Sequence, residues 1–307
     1  MLVVAALGGN ALLARGQALT AENQRENARV AAGALARIVE AGHDLVVTHG
    51  NGPQVGLIAL QGLAYKPDEI YPLDVMGAET EGMIGYLIEQ ELENALGNAR
   101  PVATLLTQIR VDPDDPAFEK PTKFIGPVYD KAKAEEMAER HGWTIAEDGD
   151  HWRRVVPSPA PVEIPDLKVI RLLLLHGTIV ICAGGGGIPV MARPDGSLTG
   201  VQAVIDKDAA SALLADALGA DALLMLTDVE GILRDFGTDK AARIERLSHV
   251  EAAAMDLPAG SMGPKAEAAA RFAAGGEGRM AGIGRLDEAL AILEGRAGTV
   301  VGAATPG

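Results

Sequence analysis

Short runs of β-branched and aliphatic residues alternate along this chain with longer stretches in which apolar positions recur every three or four residues. The first kind predicts buried strands and the second predicts amphipathic helices. Residues 2–7 form an apolar opening strand. Residues 21–41 predict a helix with Val30, Ala34, Leu35 and Ile38 on one face and Gly42 as its stop. A second strand at 44–48 leads to a short helix at 57–60, a long helix at 73–96 and a third strand at 101–108. A helix at 167–176 feeds the strand at 178–183. Residues 204–208 open a helix that runs over 209–218, and a strand follows at 222–226. Further helices are expected from Ser248 through Met255, over 266–274 and over 286–293, with short strands at 280–283 and 299–301. At 307 residues this alternation suits one large α/β domain or two lobes.

Composition changes between residues 112 and 161. This stretch is rich in Pro, Asp, Lys and Arg and holds both tryptophans, Trp143 and Trp152. It is too long for a plain loop, so it predicts an inserted subdomain, a small sheet with a helix at 131–140. Within it Lys123 is held between two Pro-containing turns, Pro121-Thr122 before and Gly126-Pro127 after.

Charge narrows the partners. The net charge of −15 argues against nucleic acid and anionic membrane. No apolar run reaches membrane-spanning length, since Arg171, His176 and glycines interrupt the longest candidate. Met1 runs directly into a strand, so no signal segment is expected and a cytoplasmic protein is. The one cysteine, Cys182, excludes an intrachain disulfide and lies in an apolar run, where it fits a small core residue better than a nucleophile.

Candidate chemistry gathers where strands end in glycine. Gly8-Gly9-Asn10 follows the first strand, His49-Gly50-Asn51-Gly52 the second, and Gly184 to Gly187 the strand at 178–183. Residues without side chains let backbone N–H groups approach a ligand closely. Ligands of open α/β sheets bind beyond the carboxyl ends of the strands, so the three turns should converge. Lys207 and Lys265 stand at helix starts, where the helix end already favours anions, and Asp206 and Asp208 flank Lys207. Only nine lysines occur against eighteen arginines, so lysines fixed in glycine motifs invite a functional reading. Amides and lysines together suit a polyanion, and phosphoryl transfer needs such positioning and neutralisation. Asp208 would orient the lysines and help hold Mg²⁺ through water. His49 fits a structural hydrogen-bonder better than a base. No GxxxxGK[ST], HRD or DFG pattern, no GxGxxG after the first strand and no His/Cys cluster with metal spacing is present.

The stretches ALGGNAL (6–12), THGNGPQVG (48–56), LDVMGAETEGMIGY (73–86), PTKFIGPVY (121–129), AGGGGIPV (183–190), VIDKDAASALLA (204–215), LTDVEG (226–231) and GSMGPKAEAA (260–269) resemble the carbamate kinases of the amino acid kinase superfamily. The resemblance implies a three-layer αβα sandwich around a mostly parallel sheet, with a small protruding inserted subdomain, and a homodimer. It implies an N-terminal lobe, 1–218, for carbamate or carbamoyl phosphate, and a C-terminal lobe, 219–307, for ATP or ADP with Mg²⁺. Lys123, Lys207 and Lys265 match lysines that stabilise charge during transfer, and Asp208 the carboxylate that organises them. Gly8, Gly9, Asn10, Gly50, Asn51, Gly52, Gly184 and Gly185 match the substrate cradle. Thr227, Asp228, Val229, Met262 and Gly263 join Lys207 and Lys265 on the nucleotide side, with no direct protein ligand to the metal. The first strand lacks the lysine that acetylglutamate kinases and aspartokinases carry before the glycines, and the resemblance implies that Lys123, in the matching motif of the inserted subdomain, takes its place. Phe124 and Glu81 depart from the residues common at their positions. The alternatives are another acylphosphate-forming kinase of this fold, or a non-catalytic sensor built on it.

Overall fold

A computed structural model describes residues 1–13, 16–67, 71–258 and 262–302, the Asn10 side chain excepted. Strand β1 (Leu2–Leu7) runs into the short turn α1 (Gly9–Leu12), then α2 (Ala21–Glu40), β2 (Asp44–His49), α3 (Gly52–Tyr65), α4 (Leu73–Leu96), β3 (Val102–Thr104) and β4 (Gln108–Val111). The chain continues through β5 (Lys123–Tyr129), α5 (Lys131–His141), β6 (Thr144–Asp148), β7 (His151–Val156), β8 (Pro161–Glu163), α6 (Leu167–Leu175), β9 (Ile179–Ile181), β10 (Ile188–Ala192) and β11 (Leu198–Gly200). The last third holds α7 (Lys207–Leu218), β12 (Ala222–Thr227), the ribbon β13 (Leu233–Arg234) and β14 (Ala242–Arg243), β15 (Arg246–Ser248), α8 (His249–Ala253), α9 (Met262–Ala274), β16 (Met280–Arg285), α10 (Ala289–Leu293) and β17 (Thr299–Gly302).

Eight strands form the central sheet in the order β15-β17-β16-β12-β1-β2-β9-β3. Every neighbouring pair is parallel except β16 with β17. Successive residues of β1 feed opposite layers, as the pleat requires. Val3, Ala5 and Leu7 join the core under α2, α4 and α10, while Val4 joins the core under α6, α7 and α9. Strands covered on both faces read as continuous apolar runs, and this is why the runs in β1, β2 and β12 show no alternation. The buried positions of α7 and α9 are mostly alanines, among them Ala210, Ala212, Ala215, Ala266, Ala269 and Ala273.

Three expectations need correction. Val30 is 49% exposed, and α2 turns Ala28, Ala31, Ala32, Leu35 and Ile38 inward instead. Small alanines make several faces of that helix equally packable, so periodicity alone picks the wrong edge. Residues 101–108 do not form one strand. Only β3 joins the central sheet, and β4 leaves for a second sheet of order β11-β10-β4-β8. The Thr107 N–H is taken by the Glu81 side chain at the break. The helix expected at 57–60 is the full α3, whose first turn is built from Gly52 and Pro53 of the second glycine stretch. Within 112–161, β5, β7 and β6 form an antiparallel three-stranded sheet, in that order, with α5 packed on it.

Candidate active site

The turns that follow β1, β2 and β9 meet at one edge of the central sheet, together with the starts of α7 and α9. They enclose a cleft of about 340 Å³ lined by Gly9, Gly50, Asn51, Gly52, Gly185, Lys123, Lys207, Asp208 and Lys265, among others. The parallel register explains the meeting. Leu7 pairs with both His49 and Leu226, so neighbouring strands end at the same level.

Helix α7 is aimed by its cap. Asp206 Oδ1 accepts the N–H groups of Asp208 (2.9 Å) and Ala209 (3.2 Å), which satisfies donors that every helix start leaves open. The other oxygen, Oδ2, accepts from Lys123 Nζ at 2.8 Å. Lys123 stands on β5 of the inserted sheet, so this pair ties that sheet to the helix that carries Lys207. Burial pushes the Asp206 carboxyl up, but Lys123 outweighs it and the net shift is downward.

Asp208 is 4% exposed, and each of its oxygens holds one lysine. Lys207 Nζ donates to Oδ1 at 2.5 Å and Lys265 Nζ to Oδ2 at 2.9 Å. Burial alone would raise this carboxyl, but the two ammonium groups hold it well below the usual carboxylate range. Burial lowers Lys207, and Asp208 pulls it part of the way back. Two cations on one carboxylate leave one positive charge in excess. That charge sits at two helix N-termini, and both terms favour an incoming anion.

A second row of groups lies behind the glycine turn. His49 is buried, its Nδ1 3.2 Å from the Gly50 carbonyl oxygen. Burial lowers its pKa to about 4, so the ring is neutral and serves as the structural hydrogen-bonder. Glu81 is 1% exposed. Its Oε2 accepts the Thr107 N–H at 2.8 Å, and among the described residues its Oε1 has no partner. Burial raises its pKa well above the ordinary carboxyl value. Thr107 Oγ1 in turn accepts the Ala183 N–H at 3.0 Å. The glycines fit this backing closely. A Cβ on Gly184 would collide with the His49 ring, and one on Gly185, whose φ is +66°, would collide with the Asn51 amide. That amide donates to Thr80 Oγ1 at 2.8 Å. Cys182 is buried and burial pushes its thiol up, as an inert core residue requires.

Not every residue singled out in the sequence lines this cleft. Gly184 packs behind it against His49. Gly8 donates its N–H to the Leu226 carbonyl at 2.8 Å, which draws the β12 end, with Thr227, beside the first turn. Thr227 Oγ1 lies 3.2 Å from Asp228 Oδ1, and Val229 is exposed beyond them. Gly263 lines a separate depression between α8 and α9, and Met262 begins α9. The Asn10 side chain, Gly260 and Ser261 lie outside the described residues. The residue missed from sequence is Asp206. An Asp just before a helix is a cap signal, but its pairing with Lys123, 83 positions away, has no sequence signature. Among the described residues no group of three or more His, Cys, Asp or Glu side chains could hold a metal ion.

The family model described as the amino acid kinase family matches residues 1–281. The chain belongs to the amino acid kinase family. Among relatives of this amino acid kinase, a carbamate kinase of Rhizobium meliloti is 53% identical over 98% of this chain and 93% of its own length. One of Haemophilus influenzae is 52% identical over 100% and 98%. The solved structure of a carbamate kinase from Giardia lamblia bound to AMP-PNP superposes with a TM-score of 0.90 at 40% identity, covering 99% of this chain and 98% of that one. The large, mostly parallel sheet with helices on both sides is the amino acid kinase fold.

Proposed function

We propose that this chain is a carbamate kinase, transferring a phosphoryl group reversibly between ATP and carbamate. The single observation that carries the mechanism is the Lys207–Asp208–Lys265 cluster facing the same cleft as Lys123 and the glycine turns. Carbamate kinases that match nearly the whole chain at 52–53% identity support the choice of acceptor. A carbamate oxygen attacks the γ-phosphorus, a P–O bond forms, and the bond to the ADP oxygen breaks. The acceptor is already an anion, so no residue has to remove a proton, in keeping with a cleft lined by lysines and amides. The main barrier is bringing two anions together. Lys207 and Lys265 neutralise the charge that grows on the transferred group and the leaving oxygen. Asp208 fixes where both ammonium groups stand, and Lys123 binds the carbamoyl phosphate end together with amides of Gly9, Asn51 and Gly52.

In this reading residues 1–218 carry the carbamate end and residues 219–307 the nucleotide, with Thr227, Asp228, Val229, Met262 and Gly263 on the adenosine side. When bound with the nucleotide, Mg²⁺ would supply further charge neutralisation, held without a direct protein ligand. The donor set fits that arrangement, because both Asp208 oxygens are already occupied by lysines. We further propose a cytoplasmic homodimer serving arginine metabolism. The described helices include none long and apolar enough to cross a membrane.

The test is production of ATP from ADP, Mg²⁺ and carbamoyl phosphate, with acetyl phosphate and acetylglutamyl phosphate beside it, in the wild type and in Lys123→Ala. ATP from carbamoyl phosphate alone, lost in the variant, is the expected result. ATP from another acyl phosphate would change the acceptor, and none from a folded, nucleotide-binding protein would remove the activity.

A further inference from the structure

A second cavity, of about 470 Å³, lies between the inserted sheet and the hairpin of β10 and β11. It shares no lining residue with the catalytic cleft. Its walls are mostly apolar and include Phe118, Trp143, Val155, Met191 and Val201. Its volume falls in the range of small-molecule pockets, which pair an apolar lining with a few polar groups that fix orientation.

Among the described residues Arg154 on β7 is the one cationic side chain in the lining. Its guanidinium carbon lies 4.7 Å from the centre of the Trp143 ring. Among the described residues it has no hydrogen-bond acceptor and no carboxylate partner. Burial lowers its pKa to about 10, and the ionised form of the Tyr129 phenol acts against that shift. Its neighbour Arg153 behaves otherwise, donating to the Gly126 carbonyl at 2.8 Å and to Asp148 at 3.3 Å. The chain carries 42 acidic residues against 27 basic ones, so a half-buried arginine left without an acid is the exception here. A planar fork lying on an aromatic face is arranged to bind a carboxylate through two parallel N–H···O bonds.

We propose that this cavity is a binding site for a small organic carboxylate with an apolar body, its carboxylate on Arg154 and its body among Phe118, Trp143 and Met191. The site backs onto the strands that place Lys123, because Val155 and Val156 pair with Phe124 and Lys123.

The test uses benzoate and hexanoate as probes on the full chain, with benzamide as the uncharged control, read by calorimetry and by tryptophan fluorescence. The expected result is saturable binding of at least one carboxylate to one site, none of benzamide, and binding at least tenfold weaker in Arg154→Gln. Arg154→Lys keeps the charge without the fork and should fall between the two, which separates loss of the site from loss of fold. No saturable binding of either carboxylate to the wild type would overturn the proposal. So would equal binding to Arg154→Gln, or displacement of the probe by carbamoyl phosphate, which would put it in the catalytic cleft.

Discussion

Asp208 is buried and charged, with Lys207 and Lys265 largely covered beside it, whereas His49 and Glu81, one layer behind them, are buried and held toward their neutral forms. The two rows sit at the same strand ends and lose the same water. What separates them is partners. In the front row each ion has an opposite charge within 2.9 Å, which holds Asp208 ionised and offsets part of the desolvation of Lys207. In the back row, among the described residues, Glu81 receives one backbone N–H, His49 faces a carbonyl, and neither has an ion of opposite sign. Burial without a counter-charge moves a group toward its neutral form. In the proposed reaction the front row would therefore supply electrostatics and the back row shape.

The strongest way to break this division is to remove a front-row cation. Lys265→Ala or Lys207→Ala should lower kcat by roughly 10²–10³, the usual loss when one preorganised donor is removed. The measurement is steady-state turnover of carbamoyl phosphate with ADP, and full activity in both variants would end the assignment.

Protonating the back row comes next. The neutral form of His49 is favoured in the fold, so its contribution is complete above its ordinary value of 6.5 and is lost as pH falls toward about 4. Across that window roughly 3 kcal/mol of stability should disappear. Unfolding in denaturant at several pH values checks this, and His49→Gln should flatten the fall.

Gly185→Ala drives a wedge between the rows. A side chain at φ +66° is strained, and its Cβ meets the Asn51 amide, so a loss of about 2 kcal/mol is expected from strain and overpacking. Denaturant midpoints and the KM for carbamoyl phosphate should both move.

The last and most pointed test is Glu81→Gln. Glu81 is raised in the fold, so its stability is present at low pH and declines as pH rises beyond the ordinary carboxyl range. The glutamine variant cannot ionise. Its stability relative to wild type should grow with pH, a trend opposite in sign to that of His49. A parallel decline in both proteins would mean that Glu81 is not the neutral acid described here.

Much of the front row was legible in the sequence. Glycines after apolar runs, and Lys207 and Lys265 at helix starts, carry their chemistry in local pattern, and parallel strands bring such ends together. The back row was less so. Glu81 sits inside a helix that could equally expose it, and only the departure of β4 from the central sheet gives its carboxyl the Thr107 N–H. The β10–β11 hairpin went unnoticed because its strands follow directly on the glycine run. Val30 misled for a related reason, since an alanine-rich helix offers the sheet several faces of nearly equal size.

The link between Lys123 and Asp206 differs from the cluster at Asp208 in one respect that bears on turnover. Both of its side chains remain about a third exposed, and pairs so placed contribute only about 0–1 kcal/mol. In the proposed reaction Lys123 would therefore trade its carboxylate for a phosphate at almost no net expense and reclaim it when product leaves. On that reading Asp206 would act as a parking place for the ammonium, and the inserted sheet would be tethered by a contact exchanged on every cycle.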